Sequence, residues 1–80
     1  MEIEFSDHGQ KRTSGRGIAL AWIEATVSAP DWTKPDPDPA LTRSYKAIAE
    51  FGGRILRVVH RPEGDKVLIV TVHFDRSAKR

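Results

Sequence analysis

The chain has 80 residues, enough for one hydrophobic core and no second domain, since a domain this small buries only about 60–65% of its unfolded surface. With no cysteine, disulfides and thiolate metal sites are excluded and a reducing, cytoplasmic setting is expected. The net charge of +2 hides a segregation: residues 1–41 hold four Lys/Arg against seven acids, whereas residues 42–80 hold nine against four.

Met1 to Asp7 alternates acidic and apolar residues, so Ile3 and Phe5 read as one face of a short strand rather than as a signal peptide, which needs a basic start and an unbroken apolar run. Asp7 with Gln10 three residues later makes a capping box, and Gly15 is a natural C-cap, which predicts a short helix over residues 8–14. The stretch from His8 to Gly17 carries His8, Lys11, Arg12 and Arg16 and no acid. Ile18, Trp22, Ile23, Thr26 and Val27 fall on a helical stripe that ends at Ser28-Ala29 before Pro30, which predicts a second helix. Ala19 at its N-cap has no side chain that could cap.

Four of the five prolines lie between Pro30 and Pro39, which predicts an extended acidic loop with Trp32 tucked onto the core. From Thr42 the pattern turns to strand: Arg43 to Phe51, the Gly52-Gly53 turn, Arg54 to His60, a five-residue loop over residues 61–65, and Lys66 to Phe74. The tail over residues 74–80 reads as polar, basic and frayed. No window is long and apolar enough to cross a bilayer, and no membrane partner is expected. The fold class these elements predict is α+β, a single domain over residues 1–80 with two N-terminal helices packed on one face of a small antiparallel sheet.

Strand parity sorts the last hairpin. Arg57, Thr71 and His73 share a face with Ile55 and Val59, while Leu56, Val58, Leu68, Val70, Val72 and Phe74 form the other, better core face. Arg57 is then a charge in mid-strand, which calls for an acid, such as Glu50 or Glu24, or for an anionic ligand. RNA suits the segregated basic residues; a solvated basic surface is the alternative. A metal-free ribonuclease needs a base, an acid and cations that hold the charge of the phosphorane. His8, His73 and Arg57 can fill those roles, with Arg12 or Arg16 adding a phosphate contact; a capping, surface or core role for each histidine is the competing reading. His8, His60 and His73 lack the spacing of a metal site, and no glycine-rich phosphate loop or nucleophile elbow is present, so neither metal nor cofactor is expected.

His8-Gly9-x-x-Arg12-x-x-x-Arg16-Gly17-Ile18, Pro30, Tyr45-Lys46, Leu56-Arg57-Val58-Val59-His60 and Val70-Thr71-Val72 together resemble an uncharacterised family of small bacterial proteins over about residues 5–74. That family is itself similar to RelE-like and BrnT-like toxins. The resemblance implies a RelE-like fold and a metal-independent endoribonuclease of toxin type, with an antitoxin protein as a partner. Its polar signature falls on His8, Arg12, Arg16, Tyr45 and Arg57, with Arg43 joining the residues expected on RNA phosphates. Where the family has alanine, a capping serine and two tyrosines, this chain has Gly9, Ala19, His60 and His73. A non-catalytic RNA-binding or protein-interaction module with the same fold is the alternative.

Overall fold

Alternating apolar residues from Thr42 onward build three long strands, and the rest of the molecule is arranged around them. A computed structural model of the chain describes residues 2–6 and 17–79. Its elements are β1 (Ile3–Phe5), α1 (Leu20–Ser28), β2 (Trp32–Pro35), β3 (Thr42–Ile48), a 3-10 turn (Ala49–Phe51), β4 (Arg54–Glu63) and β5 (Lys66–Phe74). The strands form one sheet in the order β1-β5-β4-β3-β2. The pairs β2–β3, β3–β4 and β4–β5 are antiparallel, while β1 lies parallel to β5.

This corrects the expected two-helix, purely antiparallel RelE-like arrangement: the described residues contain one α-helix and a five-stranded mixed sheet. The helix predicted over residues 8–14 lies outside the described residues. Two strands account for the rest of the difference. The first runs parallel to β5 because the chain crosses from β1 through α1 before the hairpins begin, with Ile3 and Phe5 directed at the core. The second, β2, forms inside the proline-rich segment predicted to be a loop. There Pro35 is the last residue of an edge strand, where a missing N–H is tolerated.

α1 packs on one face of the sheet. Ile18 and Ile23 meet Ile48, Leu56, Val58, Ile69 and Val72, and Trp22, Val27, Val67 and Phe74 close the margins. Ala19 is the N-cap and makes no side-chain cap bond, as its methyl group dictates. Inside the helix the Thr26 hydroxyl donates to the Trp22 carbonyl at 2.7 Å, which lets a polar side chain lie fully buried under the sheet.

The β4–β5 hairpin turns on Gly64-Asp65, with Glu63 opposite Lys66 and Gly64 at φ 64°, rather than on a five-residue loop. Pro62 fits within β4 because β3 has already ended opposite His60, and the facing Val67 N–H bonds Glu2 on the other side. A bulge next to Val59 and His60 leaves Val70 without a register partner. In consequence Ile69, and not Leu68 or Val70, enters the core, while the parity expected for Leu56, Val58 and Val72 holds.

His60 sits on the helix side of β4, with its Nε2 2.7 Å from the hydroxyl of buried Ser44. Burial lowers its pKa from the ordinary 6.5. As pH falls below that value the unfolded chain binds the proton before the folded chain does, so stability is full above it and declines on acidification. The thermal midpoint is therefore expected to fall between about pH 7 and pH 5. His60→Gln, which keeps a partner for Ser44 without titrating, is expected to flatten that fall; identical pH profiles for the two chains would contradict the assignment.

Candidate functional site

The face of the sheet opposite α1 carries the polar residues. Register aligns Trp32 with Tyr45, Tyr45 with Arg57, and Arg57 with His73, one row across β2, β3, β4 and β5. At a strand spacing of about 4.8 Å the row is roughly 14 Å long. The adjacent row runs Lys34, Arg43, Val59, Thr71. Trp32 lies flat on Tyr45, with ring centroids 5.0 Å apart and planes within 5°. Although on this second face, Tyr45 and Val59 are each only 4% exposed. Trp32 thus serves this face rather than the helix-side core.

Arg57 holds the row together. Its Nη2 lies 2.6 Å from His73 Nε2, and its Nη1 lies 3.4 Å from a carboxylate oxygen of Asp75. The acid is therefore neither Glu50 nor Glu24. Asp75 reaches Arg57 because its N–H bonds the Ile55 carbonyl, extending the pairing one residue past β5. A guanidinium has donors and no acceptor, so His73 must accept through Nε2 and carry its proton on Nδ1. Protonating Nε2 would remove that bond and set two cations side by side. A long-range ¹H–¹⁵N correlation spectrum is expected to show His73 as the Nδ1–H tautomer at neutral pH; an Nε2–H tautomer would contradict the pairing.

Arg43 has its own carboxylate. Its Nε donates to Asp36 at 2.7 Å, and the bond to Asp36 together with the neighbouring Tyr45 hydroxyl raises its pKa. The Asp38 backbone N–H, donating to Asp36 at 2.9 Å, holds the Asp36 carboxyl below its usual range, with Arg43 adding to the effect. Asp75 is likewise held low, first by the Ser77 hydroxyl at 2.7 Å, then by the Ser77 N–H and the nearby charge of Arg57. Both arginines are thus fixed by carboxylates from the segments that flank the sheet, the Asp36 loop and the chain after β5.

Of the residues singled out by sequence, Arg43, Tyr45, Arg57 and His73 lie together on this face. His8, Arg12 and Arg16 lie outside the described residues, so the structure does not place them. Sequence reading does not single out Asp36 and Asp75 and assigns Trp32 elsewhere; a tryptophan within a run of prolines and aspartates was the available signal. Among the described residues no three His, Asp or Glu side chains group as a metal ion would need, and no helix is long and apolar enough to cross a membrane.

The model of a domain of unknown function, DUF4258, matches residues 5–74. The chain belongs to the DUF4258 family. No curated protein and no solved structure matches it. The resemblance to an uncharacterised family is therefore correct at that level. The DUF4258 match runs from the last residue of β1 to the last residue of β5 and takes in the whole Trp32–Tyr45–Arg57–His73 row. It stops one residue short of Asp75, the carboxylate that pairs with Arg57.

Proposed function

We propose that this chain is an RNA-directed protein and acts as a metal-independent endoribonuclease. The observation that supports it is the contact between Arg57 and His73. A guanidinium and an imidazole share one hydrogen bond in the middle of a polar sheet face. An RNA phosphate drawing the guanidinium away from His73 would let Nε2 take a proton as a base, while Arg43 and Arg57 hold the developing charge. His8, the other imidazole in the reading, would be the second proton-transfer group. The likeness of the motif-bearing family to RelE-like and BrnT-like toxins is what supports a toxin role with an antitoxin protein as partner, in a cytoplasmic setting.

A second reading, a non-catalytic RNA-binding module, is favoured by one specific feature. Both arginines are satisfied by carboxylates and the His73 lone pair is occupied, an arrangement that holds a surface in place without chemistry. Incubation with single-stranded RNA in excess chelator separates the two. The endoribonuclease reading expects cleavage by the native chain that falls by about 100- to 10,000-fold in His73→Ala. Salt-sensitive binding without cleavage leaves the second reading. Neither binding nor cleavage removes both.

A further inference from the structure

Where β4 begins and β5 ends, Gly53, Arg54, Ile55, Phe74, Asp75 and Arg76 line an open groove of about 260 Å³. It adjoins a cluster of rings: Phe74 lies 4.8 Å from Phe51 and 6.2 Å from Trp22. Phe51 is 41% exposed, and the Arg54 guanidinium lies over its ring at 5.0 Å. Among the described residues neither Arg54 nor Arg76 has an ion pair. The groove's one carboxylate, Asp75, is already engaged by Ser77 and Arg57. An open groove with two uncompensated guanidiniums and an exposed ring has the chemistry of a site for one nucleotide of a single strand, which combines a phosphate with a flat π-face. Its volume is below the 300–1,000 Å³ or so of a drug-sized pocket, in keeping with a single unit of a chain.

We propose that this groove is a second RNA contact, taking one nucleotide that flanks the nucleotide on the Arg43–Arg57 face, with its base against Phe51 and its phosphate between Arg54 and Arg76. The inference rests on the RNA reading above. Asp75 lines the groove and pairs with Arg57, so the two contacts are adjacent and one strand can pass from one to the other.

The test is fluorescence anisotropy of the full chain with a labelled single-stranded hexaribonucleotide and a labelled diribonucleotide. Native chain is compared with Phe51→Leu, with Arg54→Ala/Arg76→Ala and with Arg43→Ala. Hexanucleotide affinity is expected to fall about 5- to 100-fold in the Phe51 variant and in the double arginine variant, with dinucleotide affinity unchanged. Arg43→Ala should weaken both. Hexanucleotide affinity that drops in Arg43→Ala but stays native in both groove variants would overturn the groove while leaving the RNA reading intact. A native chain that binds neither oligonucleotide, including one that binds an acidic peptide instead, would overturn both.

Discussion

Arg57→Ala is expected to weaken binding of single-stranded RNA by about 10- to 100-fold, the scale of one lost charge-assisted hydrogen-bonding group. Filter binding across a salt series should also show the slope of log K against log salt reduced by about one, because one cationic contact to phosphate is gone. The side chain is suited to this measurement because its loss leaves the sheet intact. Asp75 keeps its two bonds from Ser77, Tyr45 stays under Trp32, and the row's backbone pairing is unchanged. Arg57→Lys is expected to keep the charge and the salt slope yet recover little affinity, since an ammonium lacks the planar fork with which a guanidinium can keep Asp75 and meet a phosphate with paired N–H groups. Unaltered affinity and slope in Arg57→Ala would mean that the arginine serves its bonds to Asp75 and His73 and does not meet RNA.

The largest effect on stability is expected on the opposite face. Leu56 is fully buried between β3 and β5 under α1, with Lys46 and Phe74 as its cross-strand neighbours. Leu56→Ala is expected to cost about 3 kcal/mol, from lost transfer energy and the cavity left beneath Ile23 and Val58. For a chain of this size that lowers the melting temperature by roughly 12–24 °C. Arg57→Ala, whose ion pair is partly exposed, should change stability by only about 1 kcal/mol. Circular dichroism melts of the two variants check the contrast. A Leu56→Ala chain that melts within a few degrees of the native would mean that the helix does not seal this face.

Strand parity is the part of the site that the sequence makes legible. The alternation from Leu56 to Val59 and from Val70 to His73 puts Arg57 and His73 on one face, although the loop is three residues shorter than expected, because the extra residue at the bulge makes the total shift even. The bulge beside Val59 could not be read, since Leu68, Ile69 and Val70 are equally apolar and only packing decides which enters the core. β2 was hidden for a related reason: proline content argues for a loop, yet its pairing with β3 asks only that Pro35 stand at the end of an edge strand. The second helix was legible from its stripe and from Pro30 beyond its end, while Ala19, which cannot cap, left its start less well specified. The parallel seat of β1 was not, because three residues carry no information about which strand they join. Arg57 illustrates the limit most clearly. That a mid-strand guanidinium needs an anion follows from desolvation, but that Asp75 supplies it depends on β5 pairing one residue beyond its end.

The two faces of the sheet make opposite demands, one sealed by α1 and one carrying fixed charge, and RNA is assigned to the second. An NMR titration of the full chain with a single-stranded oligoribonucleotide tests that assignment most directly. Side-chain signals of Trp32, Arg43, Arg57 and His73 should shift together and saturate at one concentration, while the methyl groups of Ile23, Val58 and Val72 under the helix stay in place. Shifts centred on those helix-side methyl groups, or a spectrum that does not change at all, would contradict it.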